Sequence, residues 1–421
     1  MIDLALRNNP ETRVSWSEAR AAAATYGSTR GAYLPSLTGS VTASRTRSLP
    51  VNGAQSIERS QINPSLTLNY LLLDFGGRAG SIDQARQNLF AADLTHNATI
   101  QNVVLQVEAA YFSYMANSAL LAAERAAIAE ATANLAAAEQ RDSVGLATIA
   151  DVLQARTALS QEQLNLESIQ GSLQAARGNL AAAMGIPANA PYDLGQLASA
   201  VPVRSVAVTV DSLIADAVTR RPDLAAARAA AAAAAAQVRV VRSEELPALT
   251  LGSTAGRAYS EPSRYGGGSY GLTLGVSVPL FTGFSQQSDV AAARARADVA
   301  SAQADVVRQQ VTTEVFTSYY ALQTAGQRVT TADNLLTSAQ QSEQVAAGRY
   351  REGVGSIIDL LTAQSALANA RAQQVQSRWQ WYTALAQLAH DAGVLGTHGE
   401  TPFPFASDSG AGSSSQAISH P

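Results

Sequence analysis

Four short stretches of the chain alternate apolar with small polar residues, and most of what lies between them repeats at a helical period. Leu37, Gly39, Val41 and Ala43 are interleaved with Thr38, Ser40, Thr42 and Ser44. Leu66, Leu68, Tyr70 and Leu72 are interleaved with Thr67 and Asn69. Further on, Leu249, Leu251 and Ala255 face Thr250, Gly252 and Thr254, and Leu272, Leu274, Val276 and Val278 face Thr273, Gly275 and Ser277. A period of two is the signature of a strand with unlike faces. The pattern predicts two β-hairpins, at about 35–74 and about 247–281, separated at their tips by polar stretches (Ser48–Gln61 and Ser260–Ser269). Strands of about ten residues have the length that crosses a bilayer when tilted. The same alternation also describes a small, half-buried soluble sheet.

Proline-free helical periodicity runs from about Arg78 to Asp142 and again over Gln286–Arg351. At a rise of 1.5 Å per residue each run spans about 100 Å. Helices return over Thr148–Met184 and Ser356–His390. Between the members of each pair lies a tip, and the tips resemble one another. Arg141–Leu159 and Arg349–Leu367 share Arg141/Arg349, Gly145/Gly353, Ile149/Ile357, Asp151/Asp359 and Leu153/Leu361 at a constant separation (349 − 141 = 208). Glycine past a helix end is a stop signal. Thr148 followed by Asp151, and Ser356 followed by Asp359, read as capping boxes that start the next helix.

The likeness extends beyond the tips. Asn9-Pro10 and Arg221-Pro222 each divide a short helix from a longer one, since the residue before proline is driven out of the helical region. The hairpin exits LLLDFGGR (71–78) and VPLFTGFS (278–285) align Phe75 with Phe281 and Gly77 with Gly283, a separation of 206, which also pairs Glu108 with Glu314. The chain is therefore expected to be an internal two-fold repeat, 1–195 and 196–395. Gly185–Thr209 is read as the linker and 396–421 as a disordered Gly/Ser/Pro-rich tail.

Composition narrows the function. Hydrophobic residues make up 47% of the chain, charged ones 15% and aromatics 6%, with a net charge of −4. There is no basic patch, so nucleic acid is not an expected partner. With no cysteine, disulfides, thiolate chemistry and Cys-ligated metals are excluded. His96, His390, His398 and His420 are scattered, and each is expected in a solvated surface or tail position. No nucleophile elbow, P-loop, dinucleotide fingerprint or metal cluster is present, so no enzyme, no cofactor and no metal site is expected. No transmembrane helix is expected either: Leu224–Ala236 is short, weakly apolar and interrupted by Arg228.

Four strands do not close a barrel, and an open sheet edge in lipid leaves backbone groups unsatisfied at several kcal/mol each. If the strands enter a membrane, copies of the chain must join: two give eight strands, three twelve, four sixteen. A Thr/Ser/Asn/Gly inner face suits a water-filled lumen. The layout then reads as a conduit, with a non-transporting coiled-coil scaffold or adhesin-like stalk as the alternative. Two alternating strand pairs joined to helices at duplicated positions favour the conduit.

These features together resemble the TolC-like outer membrane efflux protein family over about residues 3–395. The similarity rests on the NNPE opening, the ARAAAATYGSTRGAYLPSLT and ARAAAAAAAAQVRVVRSEELPALTL entries, the two exits, and the tips G-x5-D-V-L-Q-A and G-x5-D-L-L-T-A. The resemblance implies an α+β membrane protein: a homotrimer with a 12-stranded β-barrel, four strands per chain, continued by a long α-helical barrel. It implies the outer membrane of a Gram-negative bacterium, with the helical part in the periplasm and outer-membrane lipid around the strands. The expected role is the passive outer-membrane channel of a tripartite efflux or type I secretion system. Its partners would be a periplasmic adaptor (membrane fusion) protein and an inner-membrane pump of RND or ABC type. The chain opens Met1-Ile2-Asp3 without a secretory leader, which by itself reads as cytoplasmic and, given the resemblance, as a trimmed signal peptide.

The resemblance also assigns roles at the tips. Asp359 matches an aspartate that lines the entrance constriction, although it equally completes the cap with Ser356. The acidic partner expected three residues later falls at Thr362. Asp151 and Tyr350 match a latch that hydrogen-bonds between the hairpins. The arginine of that latch falls at Gly355, leaving open whether Arg349 or Arg351 substitutes. Gly145, Leu146, Gly353 and Val354 are the expected adaptor-facing tip residues, and Thr148 and Ser356 the helix caps.

Overall fold

A computed structural model describes residues 1–48, 57–192, 208–261 and 265–395; the expected tail, 396–421, lies outside the described residues. In chain order the elements are α1 (Ile2–Asn8), α2 (Pro10–Arg30), β1 (Ser36–Ser48), β2 (Ile57–Leu73), α3 (Gly77–Ser143) and α4 (Ile149–Ala183). They are followed by α5 (Val210–Arg220), α6 (Pro222–Ser243), β3 (Ala248–Glu261), β4 (Tyr265–Ser277), α7 (Ser285–Arg351) and α8 (Ile357–Asp391). Two compact units are present. One comprises Met1–Ser15, His96–Pro222 and Arg308 onward, the other Trp16–Thr95 and Asp223–Val307.

The second of these holds a single antiparallel sheet in the order β1-β2-β3-β4. Register puts the aliphatic residues on one face: Leu37 pairs with Leu68, Leu66 with Ala255, Leu251 with Leu274 and Leu249 with Val276. That face is open. Val41 is 73% and Leu272 74% exposed, although burying such side chains is worth about 1.5–3 kcal/mol each. The opposite face carries Ser40, Thr67, Thr254 and Thr273, with Ser40 Oγ 2.9 Å from Ser65 Oγ. β1 and β4 are the two open edges.

The strands run 13 to 17 residues, longer than the ten expected. The ladder extends into the stretch expected to be flexible because Arg47 pairs with Glu58 in register and Arg45 binds Glu58 at 3.1 Å. Pro64, which lacks an N–H, sits inside β2; the β2–β3 ladder skips Asn63 and Pro64 there, and Gly256 fits against the Pro64 carbonyl, where a Cβ would lie 3.1 Å away.

In the same unit α6 packs on α3: a Cβ on Gly80 would lie 3.0 Å from Val240 Cγ2, and Arg239 pairs with Asp83. By length and composition α6 could cross a membrane, contrary to the reading from Leu224–Ala236 alone. Its partners in this unit make it a packing helix. The strand-to-helix exits turn through left-handed backbone at Phe75 and Gly76 (φ 49° and 107°) and at Gly283 and Phe284 (64° and 63°). These left-handed turns lie 208 apart (283 − 75), where matching Phe75 with Phe281 gives 206. The long helices obey the same offset. Each has 67 residues, and Val103/Val311, Val107/Val315 and Ala131/Ala339 are buried in pairs 208 apart.

In the other unit, Ala5 of α1, Val103, Val107 and Tyr111 of α3, Leu180 of α4 and Met184 just past its end form a core. Asn9 and Arg221, each before a proline, take extended backbone (ψ 126° and 122°) and end α1 and α5. Each such joint seats on a glycine past a helix end. A Cβ on Gly185 would lie 2.7 Å from Asn8 C, and one on Gly393 would lie 3.2 Å from Arg221 Cγ. Arg221 is nearly buried and donates to Glu314 Oε2 at 2.5 Å. Trp381 is 1% exposed, and Phe112 stacks on Tyr382. His96 and His390 are half-buried rather than fully solvated: His96 Nδ1 lies 2.8 Å from Ser15 Oγ, and His390 sits between Asn102 and Asp391. Packing between helices, which local sequence does not report, draws both rings inward. His398 and His420 lie outside the described residues.

Candidate functional site at the two helical tips

Both tips close by the same hydrogen bonds. At the end of α3, Gly145 N donates to the Asp142 carbonyl (2.9 Å) and Leu146 N to the Arg141 carbonyl (2.8 Å). At the end of α7, Gly353 N donates to Tyr350 (3.1 Å) and Val354 N to Arg349 (3.0 Å). This is a Schellman closure, which needs left-handed backbone at the glycine; Gly145 and Gly353 have φ 75° and 74°. The next helix starts at once. Thr148 Oγ1 accepts from Asp151 N and Asp151 Oδ2 from Thr148 N, while Ser356 and Asp359 do the same.

Such tight turns leave their outer side chains in the open. Leu146 is 70% and Val354 68% exposed, and Val144, Ile149 and Ile358 are exposed beside them. Asp359 is exposed, its carboxylate 3.4 Å from Ser356 N. Isolated apolar side chains are common on surfaces.

Between the tips is a small core of Ala138, Val152, Ala155, Tyr350, Ile357 and Leu360. It brings together α3, α4, α7 and α8. Tyr350 is 92% buried, and among the described residues its hydroxyl has no hydrogen-bond partner. Burial pushes the Tyr350 phenol above its ordinary pKa, with the Arg141 charge opposing and the Asp151 charge reinforcing the rise. Asp151 thus lies close enough to act electrostatically, yet its carboxylate oxygen Oδ2 accepts from Thr148 N at 2.8 Å and Thr148 Oγ1 at 3.0 Å. Tyr350 and Asp151 are therefore neighbours without a hydrogen bond between them, and Asp359 stands outside the core.

Arg141, which the sequence marks only as a duplicated tip residue, makes a contact between the hairpins that local pattern does not report. Its Nη1 donates to the Tyr350 carbonyl at 3.1 Å, and its guanidinium lies 4.9 Å from the Tyr350 ring centroid. The available signal was its place in the duplicated tip, opposite Arg349. A second missed feature is the facing pair Glu124 and Glu162 across α3 and α4. Burial first, then the neighbouring Glu162, pushes Glu124 up to about 7, and its Oε1 is buried without a partner among the described residues. Among the described residues no group of three or more His, Cys, Asp or Glu could hold a metal ion.

A family profile described as Outer membrane efflux protein matches residues 1–186 and 213–394. Protein CyaE of Bordetella pertussis is 31% identical over 402 residues, 94% of this chain and 83% of that protein. The solvent efflux pump outer membrane protein SrpC of Pseudomonas putida is 26% identical over 404 residues, 91% and 84% of the two chains. The crystal structure of the Campylobacter jejuni CmeC outer membrane channel superposes with a TM-score of 0.82, covering 93% of this chain and 84% of that one at 19% identity.

Proposed function

The chain belongs to the outer membrane efflux protein family, and from that premise we propose that three copies of it assemble into a duct carrying exported compounds across the outer membrane. It is a channel of the Gram-negative outer membrane with a periplasmic helical part, and it works with an efflux pump rather than as an enzyme. One observation carries the reading that copies join: the four-stranded sheet has an exposed aliphatic face, a polar opposite face and two unpaired edges, and family membership supports three as their number. In lipid such edges must be paired. Joining β4 of one copy to β1 of the next pairs all of them, and three copies make a 12-stranded barrel with a lumen lined by Ser, Thr, Asn and Gly. The corresponding bounds of α3/α7 and α4/α8 support an internal two-fold repeat, 1–195 and 196–395, offset by 208 from the strand exits onward.

The tips supply a docking surface. Leu146 and Val354, presented by Gly145 and Gly353, form an apolar surface for a periplasmic adaptor, which in turn engages an inner-membrane pump of the RND or ABC type. Asp359, three times around the axis, makes an anionic ring at the entrance. Like charges in a narrow mouth favour cations and can be plugged by a bound divalent cation. Asp151 and Tyr350 line the seam between hairpins, where the closed state is held.

Stoichiometry tests this. Native mass spectrometry of the detergent-extracted protein is expected to give three chains per particle, and a lone chain would contradict the reading.

A further inference from the structure

We propose that Arg45, Arg47 and Arg257, at the end of the sheet away from the helices, bind the phosphate groups of a glycolipid in the outer leaflet of the membrane. This rests on the duct reading above, in which the aliphatic face of the sheet meets lipid. Register places all three arginines on that face. β1 runs from Leu37, Val41 and Ala43 into Arg45 and Arg47, and β3 from Leu249, Leu251 and Ala255 into Arg257 and Tyr259. Beside β1, the β2 series Leu68, Leu66, Pro64 and Ile62 gives way to Ser60 and Glu58. The helices join the sheet next to Ser36, Leu73, Ala248 and Ser277, so the charged residues lie by the two hairpin turns. With the helical part in the periplasm, that end faces outward.

Charge and spacing select the headgroup. Among the described residues the charged groups of this face are Arg45, Arg47 and Arg257 against Glu58 and Glu261, all at the same end. Arg257 lies over the Tyr259 ring at 5.4 Å and forms no ion pair among the described residues. A guanidinium on a lipid-facing strand is costly at the bilayer midplane and tolerated at the interface. Its long arm reaches headgroup level, where phosphate supplies the missing anion. Arg45 uses Nη2 on Glu58 at 3.1 Å, and both side chains are more than half exposed. Such a pair contributes little, and the rest of the arginine fork fits phosphate oxygens bidentately. Arg45 is level with Ser60, and Ser60 with Glu261. Arg45 and Arg257 are therefore about 10 Å apart across the strands and about 13 Å along them. That spacing matches two phosphates held apart on one headgroup rather than a single one. Tyr259, level with Ile62 and Ala43, stands between them, exposed, as aromatic residues do at a membrane interface.

The test is native mass spectrometry of the full-length protein in detergent, incubated with diphosphorylated lipid A, with phosphatidylglycerol or with inorganic phosphate. The trimer is expected to retain lipid A in preference to phosphatidylglycerol, and excess inorganic phosphate is expected not to displace it. Arg45→Gln and Arg257→Gln should each lower the bound lipid A several-fold, with Arg257→Lys between Arg257→Gln and the parent. Arg59→Gln, at the same end but on the polar face opposite Thr46, should bind as the parent does. If a glutamine variant fails to assemble, Arg45→Lys and Arg257→Lys give the same ordering in weaker form. Parent-like retention in every assembled Arg45 and Arg257 variant overturns the site. An equal loss in Arg59→Gln overturns it too, since net charge alone would then account for binding. Equal retention of phosphatidylglycerol, or displacement by inorganic phosphate, rejects the glycolipid. A lone chain in the same spectra would sink the duct reading, whereas a trimer indifferent to lipid sinks this site only.

Discussion

Arg371 of α8 grips Glu130 of α3 through two guanidinium nitrogens at 3.0–3.2 Å, fastening the second helical hairpin to the first well away from the tips. Both side chains are partly buried, and an arginine fork on a carboxylate is among the stronger ion-pair geometries. Arg371→Ala or Glu130→Ala should each lower stability, with a double-mutant coupling of about 1 kcal/mol. The charge-swapped pair Arg371→Glu/Glu130→Arg should recover part of it. Denaturant unfolding of the detergent-extracted protein checks this.

The two sheet faces should respond oppositely to the same charge. Leu272 and Thr273 are adjacent, one on the aliphatic face and one on the polar face. Leu272→Arg is expected to cost about 2–4 kcal/mol if it meets the bilayer midplane, and to reduce the folded protein recovered from outer membranes. Thr273→Arg should assemble normally and shift ion selectivity. Equal tolerance at both positions would mean that the aliphatic face does not meet lipid.

At the second tip, cap and charge can be separated. Ser356→Ala removes the hydroxyl that accepts from Asp359 N and should cost about 1 kcal/mol of helix stability without altering ion block. Asp359→Asn keeps an acceptor for Ser356 N but discharges the carboxyl. It should weaken block by divalent cations while leaving thermal stability close to that of the parent. Block that persists unchanged in Asp359→Asn removes the anionic ring from the account.

The facing carboxyls Glu124 and Glu162 give stability a pH dependence. Burial raises the folded-state pKa of Glu124 to about 7, above its ordinary value of 4.5. The protonated form is thus the one the fold prefers. Its contribution is complete below the ordinary value and is lost as pH rises through about 7. Because the group is partly exposed, the loss between pH 5 and pH 8 should be only about 1 kcal/mol. Unfolding followed across that range should show the slope in the parent and a flatter profile in Glu124→Gln.

What could be read from sequence, and what could not, divides by distance along the chain. The capping signals at Thr148 and Ser356 are contained in four residues each, and strand alternation in eight, so local pattern suffices for both. The exits misled because matching like residues aligned Phe75 with Phe281. Backbone, not side-chain identity, sets the correspondence there, and an aromatic in the left-handed region, as at Phe75 and Phe284, is rare enough that no pattern announces it. The Arg141–Tyr350 contact joins residues 209 apart. It depends on how α3 and α7 pack, so the sequence could supply both residues but not their meeting. The expected solvation of His390 failed for the same reason: Asn102, its partner on α3, is 288 residues away.

The measurement closest to the central claim is current through a planar bilayer after addition of the purified full-length protein. A hollow trimer gives discrete, reproducible current steps that divalent cations reduce from the entrance side. A bilayer that stays electrically silent, with protein shown to be inserted and trimeric, would contradict the account.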